Sequence, residues 1–111
     1  MTPIEINKKI AEIKGLKMEE APNLSQSALV FIGADNHASE SYKDWAKDIE
    51  DAWELFEEMS SSVNLDYDLC LHKVYDNWCV SRKYLRDLIK LSESKTAPEA
   101  ICLAWIKWKE R

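Results

Sequence analysis

The sequence predicts a small single-domain α+β fold, with an antiparallel hairpin or three-stranded sheet set among helices. Three observations lead there. The chain has 111 residues, 46% of them hydrophobic and five of them tryptophan, which suffices for one core and leaves no room for a second domain. Three stretches carry apolar residues at spacings of three and four, the period of a helix face. Between the second and third of these, residues 67–83 divide into two apolar-rich runs around Asp76-Asn77.

The first helix is announced by Thr2-Pro3-Ile4-Glu5: Thr2 caps, Pro3 takes the first helical position and Glu5 completes a capping box. Ile6, Ile10 and Ile13 share one face, and Gly15 is the stop. Residues 16–40 are expected to be a long excursion with one short strand at 28–32, and excursions of this length tend to carry function. The second helix is expected to start near Asp44 and run to about Met59. Trp45, Ile49, Ala52, Trp53, Phe56 and Met59 form its apolar stripe, and Asp44, Asp48, Glu50, Asp51, Glu54, Glu57 and Glu58 its outer face.

Two strands follow, Tyr67–Val74 and Trp78–Lys83. A loop at Asp76-Asn77 pairs Tyr75 with Trp78 and turns Leu69, Leu71, Tyr75, Trp78 and Val80 to one side. The opposite side then holds Asp68, Cys70, His72, Val74, Cys79, Ser81 and Lys83. Residues 84–91 fit a third strand better than a helical turn, because the third helix has its own start signal in Thr96-Ala97-Pro98-Glu99. Ala97, Ala100, Ile101, Ala104, Trp105 and Trp108 line that helix, and Lys107, Lys109 and Arg111 oppose the negative end of its dipole.

Composition excludes several chemistries. With only Gly15 and Gly33, neither a dinucleotide fingerprint nor a phosphate-binding loop can be built. A formal net charge of −5 argues against a direct nucleic-acid binder, which needs a dense basic surface. Charges at Glu5, Lys8, Lys9, Glu12 and Lys14 interrupt every N-terminal apolar stretch, so no signal peptide is expected. The longest apolar run, residues 28–32, is far short of the roughly 20 residues of a membrane span. Three cysteines without a C-x-x-C pair fit reduced, partly buried thiols.

Four segments together resemble one family. These are Ile6-Asn7-Lys8-Lys9-Ile10-Ala11-Glu12, Asp48-Ile49-Glu50-Asp51-Ala52-Trp53-Glu54-Leu55-Phe56-Glu57, Trp78-x-Val80 and Thr96-Ala97-Pro98-Glu99-Ala100-Ile101-Cys102-Leu103-Ala104. In this order, over almost the whole chain, they resemble the phage ABA (alpha-beta-alpha) sandwich domain family. The resemblance implies a helix–sheet–helix sandwich and a bacteriophage or prophage origin; it implies no activity and no catalytic residues.

Cys70, His72 and Cys79 share one side of the proposed hairpin and are soft ligands of the kind zinc takes, with His37 or Cys102 as the fourth. Cys70 and Cys79 are not directly opposed in the expected register, and small side chains packed under a helix explain them more simply. A Cys70–His72 nucleophile lacks an identifiable carboxylate or oxyanion donor. No cofactor and no metal are therefore expected.

Charge is the strongest asymmetry. Residues 40–58 hold eight acids and two bases, whereas residues 82–111 hold eight bases and four acids. A solvated amphipathic face accounts for the first; the functional alternative is a surface that meets a basic groove. Trp108, near the C-terminus, is the tryptophan expected to be exposed and able to anchor a partner. Asp44, Asp48, Asp51, Glu54, Glu58, His37, Tyr42 and Trp108 are thus the expected partner-binding residues.

The expected function is that of a small non-enzymatic phage accessory protein, monomeric or homodimeric, in the host bacterial cytoplasm. It binds a host protein, in the sharpest form a nucleic-acid-binding defence effector that it inhibits, as anti-CRISPR proteins do. The alternatives are a small-molecule or nucleotide sponge using residues 28–43, and a zinc or thiol enzyme using Cys70 and His72.

Overall fold

The structure, a computed structural model, describes residues 1–21, 26–32, 38–61, 68–84 and 86–110. Helix α1 spans Pro3–Lys14, with the Thr2 hydroxyl accepting from the Glu5 amide at 3.3 Å and Gly15 closing it in the left-handed conformation at φ 71°. Both ends match the capping signals of the sequence.

Between α1 and the second helix the described residues hold three strands where one was expected. Strands β1 (Met18–Glu20), β2 (Leu29–Ile32) and β3 (Ala38–Lys43) form a three-stranded antiparallel sheet in that order. Only β2 carries an apolar run. β1 is a three-residue edge of Met-Glu-Glu and β3 reads ASESYK, so their pairing satisfies backbone groups without any period-two signal in the side chains.

Helix α2 covers Ile49–Ser60, five residues later than the expected start at Asp44. The reason is local chemistry. Trp45–Lys47 form a turn in which the Asp44 carbonyl accepts from the amides of Lys47 and Asp48, and the Asp48 carboxylate caps α2 by accepting from the Glu50 amide at 2.9 Å. Trp45 is buried as expected, but in this turn rather than on the helix stripe.

The buried face of α2 is Ala52, Leu55, Phe56 and Met59. Leu55, absent from the expected stripe, takes the place expected of Ile49 and Trp53, which are 46% and 41% exposed. An apolar arc running from Ile49 through Phe56 is wider than the contact with α3 can cover, so the residues at its rim stay in solvent. Trp53 instead stacks on Phe56, with ring centroids 4.6 Å apart.

Strands β4 (Asp68–Val74), β5 (Asn77–Tyr84) and β6 (Asp87–Ser94) form the second antiparallel sheet, in the order β4-β5-β6. The third strand expected within 84–91 is present, displaced toward the C-terminus. The β4–β5 loop is Tyr75-Asp76, not Asp76-Asn77: Val74 pairs with Asn77, Lys73 with Trp78 and Leu71 with Val80. Moving the loop by one residue shifts every pair by two, which preserves the expected faces. Tyr75 alone is reassigned, from the apolar face to the turn, where it adopts φ 56° and is 94% exposed. Asn77 is held in the strand by its side-chain bond to Glu93 Oε1 on β6, at 3.2 Å.

Helix α3 (Ala97–Lys109) is capped by Thr96 and packs against α1, α2, β5 and β6. Its buried residues Ile101, Cys102 and Trp105 meet Ile6 and Ile10 of α1, Leu55 and Met59 of α2 and Val80 of β5 in one core. Leu69, Leu71, Trp78 and Leu91 close that core from the sheet. The architecture is the α+β fold expected, with a second sheet that the sequence pattern did not reveal.

Candidate functional site

One of the expected partner-binding residues lies inside the fold. Asp44 is buried: its Oδ1 accepts from Asn7 Nδ2 at 2.8 Å and its Oδ2 from the Ser27 hydroxyl at 2.7 Å, while its amide donates to Asp51 Oδ2 at 2.9 Å. Asn7 also donates to the Ser27 carbonyl and accepts from the Ala46 amide. This network ties α1 to the start of β2 and to the turn before α2. Asp44 is therefore a framework residue, not part of the outer face expected of it.

Asp51 and Glu54 are engaged by Lys43 of β3, whose Nζ lies 3.6 Å and 2.7 Å from their carboxylates. Burial works against the Lys43 charge, but the two carboxylates more than offset it and hold the ammonium above its ordinary range. Glu58 accepts from Trp105 Nε1 at 2.9 Å and pairs with Lys14 and Lys109. Its ionised carboxylate is disfavoured by partial burial and favoured more strongly by the Trp105 and Lys109 hydrogen bonds and the Lys14 charge, so it titrates below the usual carboxylate range.

Trp108 is half-buried against the core with Lys109 Nζ over its ring at 4.8 Å, so the exposure expected of it is only partial. Tyr42 is exposed on β3. His37 lies outside the described residues, as do 33–36 of the 28–43 segment considered for small-molecule binding.

What remains on the solvent side of α2 is a narrower set. Ile49 and Trp53, one turn apart, are the exposed large apolar side chains of the helix, and Glu50 and Glu57 flank Trp53 at spacings of three and four. Neither glutamate forms an ion pair among the described residues. Reasoning from sequence placed the two acids correctly and misassigned the two apolar residues to the core. The usable signal was Leu55, which shares with Ala52, Phe56 and Met59 a tighter arc that leaves Ile49 and Trp53 outside it.

On the second sheet, His72 pairs directly with Cys79, and Cys70 with Ser81. Cys70 and Cys79 are thus not directly opposed, as expected, and lie diagonally across the pair of strands. His72 Nε2 and Ser81 Oγ lie 2.9 Å apart, with donor and acceptor set by the imidazole tautomer, so the imidazole already has a hydroxyl partner. Cys102 sits in the core, where burial pushes its thiol well above the ordinary range and away from nucleophilic use. Among the described residues, no group of three His, Cys, Asp or Glu side chains is arranged to hold a metal ion.

No helix of the described chain is long and apolar enough to cross a membrane. Three helices and two three-stranded antiparallel sheets define a small α+β sandwich protein. The chain belongs to the phage ABA sandwich domain family, whose model matches residues 8–106. It is also similar in fold to a phage protein from Bacillus cereus ATCC 14579 known from a 2.0 Å crystal structure, with a TM-score of 0.57 and 23% identity over 96% of this chain and 90% of that one. No curated protein matches the chain.

Proposed function

We propose that this protein is a small phage accessory protein that works by binding another protein through the solvent face of α2, without catalysing a reaction. The observation that carries this is Trp53 with Ile49, left in solvent on a capped helix and bracketed by Glu50 and Glu57. An exposed tryptophan on a rigid element supplies contact area at low entropic cost, and the flanking acids select a basic counterpart. The partner in the host bacterial cytoplasm is a protein with a basic, partly apolar surface, and a defence effector that uses such a surface to hold nucleic acid fits that chemistry.

The test compares the wild-type chain with Trp53→Ala and Glu50→Lys/Glu57→Lys in two assays: recovery of host proteins from infected cells, and protection of phage in hosts carrying defined defence systems. The expected result is one host protein recovered, and one defence system relieved, by the wild type only. Equal recovery and equal protection by all three forms would remove the α2 face from the function.

A further inference from the structure

We propose that strand β4 is the pairing edge for a second copy of this chain, the two β4 strands running antiparallel about Cys70 so that their sheets become one. β4 has β5 on one side and, among the described residues, no strand on the other. An open edge presents unpaired amides and carbonyls, and folds ordinarily blunt it with short length, bulges or charges. The other edges of this molecule are blunted. β1 has three residues, two of them glutamate; β3 and β6 pair with register shifts, and β6 adds Asp87, Lys90 and Glu93. β4 pairs with β5 through seven successive residues without a shift, and its centre, Leu69-Cys70-Leu71-His72, holds no acid, lysine or arginine.

The hairpin fixes the phase of the backbone. Val74 and Asn77 flank a two-residue loop and exchange their bonds with each other, so alternation turns the backbone groups of His72, Cys70 and Asp68 toward β5. Those of Leu69, Leu71 and Lys73 point to the open edge. A second β4 centred on Cys70 brings Leu69 of each copy opposite Leu71 of the other. Both are outward-bonding residues, so each of these pairs exchanges both of its backbone bonds.

The side chains match in the same register. Leu69 and Leu71 are half-buried at the margin of the core, and pairing continues the apolar face that they end. On the opposite face Asp68 of each copy meets His72 of the other. Asp68 lies across from Lys83 on β5 but forms no ion pair among the described residues, and His72 engages Ser81 through Nε2, so its Nδ1 edge is the one a carboxylate meets. Centring the pair on Leu71 instead sets Leu69 against Lys73 and Asp68 against Val74, which forfeits both matches. That self-complementarity singles out a second copy, and the twofold closes with two chains. At the axis Cys70 meets Cys70 in a non-hydrogen-bonded pair, with about 4.5 Å between Cα atoms, inside the roughly 4.4–6.8 Å that a disulfide bridges. Cys70 is half-buried whereas Cys79 and Cys102 are buried, so its thiol reports the register.

Sedimentation velocity on the full chain under reducing conditions, over a wide concentration range, tests this together with cross-linking by diamide, the two-electron oxidant of paired thiols. The wild type is expected to dimerise by mass action, and diamide to link Cys70 to Cys70, located by peptide mapping. Cys70→Ser should dimerise without being linked. Cys70→Lys and Cys70→Asp, each shown by circular dichroism to fold, place like charges at the axis and should weaken the dimer about tenfold or more. An equimolar mixture of the two should regain it. A chain that is monomeric at all concentrations, a dimer that diamide does not link through Cys70, or a mixture that stays monomeric overturns the proposal. Trp53→Ala should dimerise as the wild type does, which keeps this outcome separate from the α2 reading; loss of the dimer in Trp53→Ala would also overturn the β4 edge as its seat.

Discussion

Trp105 Nε1 donates to Glu58 Oε2 at 2.9 Å across 47 positions of sequence, and this bond fastens α3 to α2. Glu58 also receives Lys109 Nζ at 3.1 Å on its other oxygen and Lys14 Nζ from α1 at 3.5 Å. One carboxylate therefore joins all three helices at the rim of the core. Because Trp105 is fully buried, its N–H depends on the Glu58 carboxylate for its partner within the chain.

Glu58→Ala is expected to cost about 1–3 kcal/mol, the penalty for a buried donor left without a partner. Thermal unfolding followed by circular dichroism checks this, with a fall of about 4–8 °C for each kcal/mol. An unchanged melting temperature would mean that the indole is rescued by water.

The same residue sets an acid limit. Its folded-state pKa lies below the ordinary value, so its contribution is fully present above the unfolded pKa of about 4.3 and is lost as pH falls through the folded value. Urea titrations at a series of acidic pH values should show stability falling below about pH 4.3, with a shallower fall in Glu58→Gln. A parallel pH dependence in the two proteins would assign the acid sensitivity to other carboxylates.

Asn7→Leu should be more damaging than its size suggests. Asn7 is fully buried and makes three bonds, to the Ser27 carbonyl, Asp44 Oδ1 and the Ala46 amide, none of which leucine can replace. The expected loss is about 3 kcal/mol or more, read as a lower denaturation midpoint at constant slope. Ser27→Ala, which removes one donor to Asp44, should cost about 1 kcal/mol.

Tyr75→Asn should stabilise. Tyr75 sits at φ 56° and makes no core contact that would offset the steric cost of that conformation. Asparagine tolerates the left-handed region, so a gain of about 0.5–1 kcal/mol is expected, seen as a higher melting temperature. A loss instead would show that the tyrosine ring contributes to the hairpin through contacts along β4.

The parts of the fold legible in the sequence are those specified by near neighbours. Thr2 and Thr96 cap within three residues, Gly15 stops its helix locally, and the alternation in β4 and β5 fixes faces even where the loop is misplaced by one residue. The first sheet was hidden because β1 and β3 need only their backbones to pair with β2. The start of α2 was hidden because Asp44 answers to Asn7 and Ser27, residues 37 and 17 positions away. The candidate surface was half visible for the same reason: the acids of α2 are plain in sequence, but which of them Lys43, Lys14 and Lys109 neutralise is decided by tertiary placement. So is the escape of Ile49 and Trp53 from the core.

The Asn7 network also bears on the order in which the chain assembles. α1 has its caps in place and can coil as soon as it is made, yet its polar anchor is bonded to residues 20, 37 and 39 positions later. Docking of the first helix must wait until the chain has been synthesised through Ala46, and it closes two long loops in one step. During synthesis the N-terminal helix is thus an early element with a late address, its amide side chain in water until the first sheet arrives.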